Sequence, residues 1–231
     1  MIRDGSLLPQ AAVDPRNGDL YVVWQDARFS AGAVDAIALS RSVSDGLTWS
    51  APVRVNNNAV NVHAFTPSVH VLGNGTVGVT YYDLRANTID TGVLQTEYWL
   101  ARSIDGGTTW AETRIANVFD LDVAPNAGGY FLGDYQALRN RGNVFVPFYV
   151  KTSSGDLDNR TDVFAAPAVS VASPMPAIAT VAGITAMSLP ATPLVTPAWQ
   201  QRIHANAVQR QNDGLIREAP RPTASMLLRR Y

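Results

Sequence analysis

Two arginines follow an aspartate at the same short distance: Asp26-Ala27-Arg28 and, 57 residues later, Asp83-Leu84-Arg85. A guanidinium presents a planar fork of N–H donors that matches a carboxylate in two parallel hydrogen bonds. Two forks at repeating positions point to one of two chemistries. Each arginine closes its own loop on the aspartate two residues before it, or the arginines join a ring around an anionic ligand. Equivalent placement supports both. Other chemistry finds little footing. The chain has no cysteine, which excludes disulfides and thiolate metal sites. His63, His70 and His204 lack metal-ligand spacing, and there is no glycine-rich phosphate loop, so neither metal nor cofactor is expected.

The elements that position these arginines repeat. Asn17-Gly18 precedes the run Leu20 to Trp24, and Asn74-Gly75 precedes Val77 to Tyr82, with Gly18 and Gly75 again 57 apart. Downstream lie two matching turns, Ser42-Val43-Ser44-Asp45-Gly46-Leu47-Thr48-Trp49 and Ser103-Ile104-Asp105-Gly106-Gly107-Thr108-Thr109-Trp110. Asp105 is placed to accept backbone N–H groups just downstream, the glycines permit positive φ, and Ser44 stands where Asp105 stands in the later copy. A fixed period punctuated by turns and aromatics signals a repeat architecture. The spacing predicts strands at 7–13, 20–24, 36–42 and 53–55, then at 67–72, 77–82, 97–103 and 113–116. A third unit begins at Tyr130, with strands at 144–150 and 163–166 and no third copy of the turn. Aligned on its Gly142-Asn143 turn, Asp134 falls at the level of Pro67 and Tyr135 at that of Ser68.

The Ser-x-Asp-x-Gly-x-Thr-Trp turn resembles the Asp box, or BNR repeat, of sialidase-like β-propellers. The aromatic-x-Asp-x-Arg segments are similar to the same superfamily, as is Gly133-Asp134-Tyr135-Gln136-Ala137-Leu138. The resemblance covers roughly residues 1 to 165. It implies an all-β fold, a partial propeller of about three four-stranded antiparallel blades over residues 1–166.

The resemblance also implies a sialidase-like glycoside hydrolase acting on terminal sialic acid or another acidic sugar. The alternative is a non-catalytic Asp-box propeller that binds glycans or a protein partner at the cell surface. In sialidases arginines hold the substrate carboxylate, and a tyrosine activated by a glutamate attacks the anomeric carbon, an exception among glycosidases. On that pattern Arg28 and Arg85 bind substrate and Tyr135 is the nucleophile or, in the plainer reading, an aromatic lining the central channel. Glu97 or Asp134 is its partner carboxylate. Glu112, just past the second turn, is read as lying on the outer side of its blade. The polar loop from Arg85 to Thr96 is expected to line the site. If the strand connecting them is full length, Arg85 and Tyr135 would fall on opposite faces of the disc.

Composition narrows the setting. Formal net charge is −1 and charged residues make up 16%, which gives no nucleic-acid footprint. Met1 to Gly5 offers no apolar signal-peptide core, whereas the family is mostly exported. The chain is therefore expected to be a piece of a longer extracellular or cell-surface protein whose remainder supplies the missing blades. From Val163 to Gln201 there is no charged residue, and six prolines interrupt the stretch. Its apolar run Ala177 to Leu189 is shorter than the ~20 residues a membrane-spanning helix needs. Residues 167–231 read as a poorly structured linker and basic tail, with one short helix at 197–211.

Overall fold

Apolar runs separated by tight glycine turns pair with their neighbours, and here they build three antiparallel sheets. The computed structural model describes residues 2–5, 7–90, 92–153, 156–166 and 169–170. The first sheet contains β1 (Gln10–Val13), β2 (Leu20–Asp26), β3 (Ala36–Ser42) and β4 (Val53–Arg54) in that spatial order. The second repeats it with β5 (Ala64–Val71), β6 (Val77–Asp83), β7 (Gln95–Ser103) and β8 (Ala111–Asp120). In the third, β10 (Val144–Thr152) pairs with β9 (Ala137–Arg141) along one side. Along its other side run β11 (Thr161–Ala165) and β12 (Val169–Ser170), so four strands fill three positions. Val169–Ser170 lies inside the stretch read as linker; the rest of 171–231, with the expected helix, lies outside the described residues.

The sheets pack face to face like consecutive propeller blades, and burial records it. All seven residues of β6 are buried, because both faces of the second sheet are covered. In β2 burial alternates, because the first sheet is covered on one face only. Between sheets one and two lie Tyr21, Val23, Ile37 and Leu39 against Val69, Val71, Val79 and Tyr81. Between sheets two and three the filling is aromatic. Tyr82 and Tyr98 lie 4.6 Å apart, Tyr98 stacks on Tyr149 at 4.5 Å, and Tyr149 on Phe164 at 5.9 Å. Each such pair adds about 0.5–1.5 kcal/mol beyond area burial.

The two matching turns close as their residue types require. Asp105 Oδ1 accepts from Thr108 N at 3.0 Å and Thr109 N at 2.9 Å, and Oδ2 accepts from Thr109 Oγ1 at 2.6 Å. Ser103 Oγ accepts from Gly107 N at 2.8 Å, with φ at +73° and +93° for Gly106 and Gly107. In the earlier copy Ser44 Oγ takes the aspartate's place and accepts from Thr48 N at 3.0 Å. Ser42 Oγ accepts from Gly46 N at 3.0 Å, as Ser103 does from Gly107.

The third hairpin corrects one expectation of register. Arg141 pairs with Val144 across two residues, whereas Val71 pairs with Val77 across five. Counting back from the turn therefore brings Leu138, not Tyr135, to the level of Ser68, and Leu138 N donates to Ser68 Oγ at 3.2 Å. Asp134 and Tyr135 precede β9 and sit in the loop that leads into it.

Candidate functional site

Register decides which edge of the sheets carries which residues. Asp83, at the end of β6, pairs with Ala64 at the start of β5 and with Glu97 near the start of β7. The loops after β2 and β6 and the approaches to β5 and β9 thus share one edge. Arg85 and Tyr135 lie on that same edge, not on opposite faces. Sharing an edge does not bring the side chains together.

Arg28 closes on its own aspartate: its N donates to Asp26 Oδ1 at 2.8 Å and its Nε to Oδ2 at 2.7 Å. Trp24 Nε1 donates to the same Oδ2 at 2.7 Å. Burial pushes the Asp26 carboxyl up, but these donors hold it below the usual aspartate value.

Arg85 makes the same local closure and more. Its N and Nε donate to Asp83 at 3.2 and 2.6 Å, Nη1 reaches Glu112 Oε2 at 2.7 Å, and the guanidinium lies 3.8 Å over the Trp99 ring. Glu112 Oε1 also accepts from the Tyr81 hydroxyl and, at 2.7 Å, from Asn57 N in the segment that leads from β4 to β5. Glu112 thus fastens that connecting segment to the second sheet. Burial pushes Asp83 up to about 6, against the pull of Arg85. Burial also pushes Glu112 up, yet the hydrogen bonds from Arg85 and Tyr81 leave it lowered overall.

Glu97 is buried and accepts from Arg114 Nη1 at 2.8 Å. Tyr135 is 81% exposed, and its hydroxyl makes no hydrogen bond among the described residues. Asp134 pairs with Arg3 Nη1 at 3.0 Å. Of the five residues singled out in the sequence, Asp134 alone lines a cleft at this edge.

That cleft is shallow and open, reaching about 420 Å³ only when the solvent at its mouth is counted, and is lined by Arg3, Asp4, Gln25, Thr66, Phe131 and Asp134 among others. No described residue of the 85–96 loop lines it. Its floor is a bulge in β5 between Phe65 and Ser68, where Thr66 takes the left-handed conformation at φ +51°. Buried Gln25 fixes that bulge: its Oε1 accepts from Thr66 N at 3.0 Å, while its Nε2 donates to Asp35 Oδ2 at 3.4 Å. Burial pushes the Asp35 carboxyl up; His63 draws it down, and the Asp4 and Asp26 carboxylates add to the rise. The Arg3 guanidinium lies 4.4 Å over the Phe131 ring. Arg3 precedes the first repeat unit, Phe131 has no counterpart in the other two, and Thr66 is β-branched and precedes proline, so no local signal marked any of the three.

No protein-family model matches the chain, and no curated protein aligns with it. Solved structures do resemble it in fold. An α-L-arabinofuranosidase of Fusarium graminearum bound to an iminosugar inhibitor shares 17% identity over 71% of this chain and 45% of its own, with a TM-score of 0.49. A Penicillium chrysogenum α-L-arabinanase bound to arabinobiose shares 20% identity over 70% and 48%, with a TM-score of 0.46. A Hadza microbial sialidase shares 16% over 68% and 30%, with a TM-score of 0.44. The chain spans under half the length of each. The likeness goes no further than the fold. Among the described residues no group of three or more histidine, aspartate and glutamate side chains is placed to hold a metal. No helix there is long and apolar enough to cross a membrane.

Proposed function

We propose that this chain is part of a sialidase-like, Asp-box (BNR-repeat) propeller of the glycoside hydrolase class, working on carbohydrate outside the cell or at its surface. In this reading the remaining blades come from the rest of a longer chain. The observation that supports it is the cleft at the β5 edge, where a carboxylate, Asp134, and an aromatic ring, Phe131, flank a strained inner-strand bulge. Ligand sites of this kind combine apolar walls with a few convergent polar groups. Asp134 is the residue of this chain best placed to act on a bound sugar, as acid, base or hydrogen-bond acceptor. The finer expectation, terminal sialic acid or another acidic sugar held by Arg28 and Arg85 with Tyr135 as nucleophile, requires those arginines to leave their carboxylates.

Two observations favour the second reading, glycan binding without turnover. Arg28 and Arg85 are engaged in their own loops, and Tyr135 is exposed whereas Glu97 is buried and bonded to Arg114. Release of fluorophore from sialoside and arabinoside reporters by the protein, abolished in Asp134→Asn, supports the hydrolase. Glycan retention with no release in either protein supports the binding module.

A further inference from the structure

We infer that the cleft beside Thr66 takes a neutral sugar rather than an anionic one, an inference that rests on the carbohydrate function proposed above. Among the described residues its lining holds one cationic side chain, Arg3, and two carboxylates, Asp4 and Asp134. Arg3 is already committed, bonded to Asp134 at 3.0 Å and laid over Phe131 at 4.4 Å. The arginines nearest in sequence pattern are committed as well. Arg28 serves Asp26, and Arg85 serves both Asp83 and Glu112. An incoming carboxylate would therefore meet two carboxylates against one guanidinium, which already serves Asp134. Like-charge juxtaposition of that kind discriminates strongly between ligands.

A neutral sugar meets the opposite situation. Its hydroxyls are hydrogen-bond donors, and an ionised carboxylate has about four lone-pair sites to accept them. Arg3 reaches Asp134 through Oδ1 at 3.0 Å, and a carboxylate has lone pairs for further donors beyond that one contact. Phe131 supplies the apolar wall, and the Gln25 clamp keeps the bulge that shapes the floor. Carboxylate acceptors around an apolar wall suit polyols without net charge.

Titration of the full 231-residue chain, by calorimetry or saturation-transfer NMR, tests this with matched probes. Neutral arabino- and galacto-oligosaccharides and lactose are compared with sialyllactose and galacturonate oligomers. The expected result is binding of at least one neutral probe, with sialyllactose about tenfold or more weaker than lactose and the gap narrowing as salt rises. Phe131→Ala should abolish the neutral signal. Asp134→Asn, which removes one negative charge and releases Arg3, should shrink the gap or reverse it. Circular dichroism and thermal melting of each variant show that it is folded. Sialyllactose binding as tightly as lactose to the unsubstituted protein overturns the inference and leaves the carbohydrate reading standing. Failure of every probe of both classes overturns both.

Discussion

Glu112 holds Arg85 at two points, Nη1 to Oε2 at 2.7 Å and Nη2 to Oε1 at 3.2 Å, with the Trp99 ring supporting the guanidinium from one face. The grip spans β6 to β8 within the second sheet. Through Asn57 N, which donates to the same glutamate at 2.7 Å, it also holds the segment that connects β4 to β5. An arginine that looked like one of a ligand-binding pair therefore braces the second sheet and the segment that enters it.

Arg85→Ala would leave the buried Asp83 and Glu112 carboxylates without their cation. Breaking a buried pair in this way costs about 3–5 kcal/mol, and Arg85→Lys should recover only part of it because an ammonium lacks the fork. Urea denaturation of the two variants measures the loss. Unchanged stability with lost glycan binding would return Arg85 to the substrate-binding role.

How much of this was legible follows from the range of each interaction. The turns at Ser42–Trp49 and Ser103–Trp110 were readable because every partner lies within four residues, down to Ser44 replacing Asp105. The closure of Arg28 on Asp26 was readable for the same reason. Glu112 was not, because its meaning depends on a strand pairing that lays β8 beside β7 and on a backbone N–H of a connecting segment 55 residues away in sequence. Tyr135 was displaced by a matter of counting. A hairpin that is tighter in the third sheet moves every residue upstream of it, and no repeat copy reveals the shortening. The cleft was the least legible feature. Arg3 meets Asp134 across almost the whole described chain, and the left-handed turn at Thr66 contradicts the extended backbone expected before a proline.

Asp105 makes stability depend on acid. Burial pushes its carboxyl up, but the Thr109 hydroxyl and N–H, the Ser103 hydroxyl and the Thr108 N–H together hold it down at about 2, below the unfolded value of 3.8. A depressed folded-state value means the stabilisation is complete above about pH 4 and is lost as pH falls towards 2. Asp105→Asn should cost roughly 1 kcal/mol at pH 7, a modest figure because the side chain is exposed and solvent weakens its interactions. The difference between the two proteins should shrink as pH falls towards 2 and vanish only below it, where the carboxyl is protonated in both states. A gap that stays constant across the acid range would show that the charge contributes nothing.

Gly78 faces the Phe145 ring across the contact between sheets two and three. An added Cβ would come within 2.5 Å of Phe145 Cζ, and Phe145 is fully buried with nowhere to retreat. Gly78→Ala should therefore destabilise by about 1–3 kcal/mol, as overpacking does. Phe145→Leu on its own opens a cavity, yet combined with Gly78→Ala it should cost less than the sum of the two. A double-mutant cycle reads this coupling directly. Additive losses would mean that the two sheets separate slightly to admit the methyl group.

Thr66 carries strain in the wall of the cleft. A β-branched residue at φ +51° costs about 1–2 kcal/mol relative to the right-handed or extended forms, and glycine pays almost none of it. Gln25 Oε1 offsets part of that cost by accepting from Thr66 N at 3.0 Å. The bulge thus persists because a buried side chain from the first sheet holds the backbone in place. Thr66→Gly removes the strain while keeping the backbone donor, and should raise stability by about 1 kcal/mol after the added flexibility of the unfolded chain is subtracted. It also removes a side chain from the cleft, so binding of a neutral sugar should weaken in the same variant. Gln25→Leu should do the reverse to the fold, lowering stability by leaving Thr66 N without its acceptor. Thermal melting and glycan titration of both variants read the two quantities separately. If Thr66→Gly leaves both unchanged, the left-handed turn is neither strained nor part of the site.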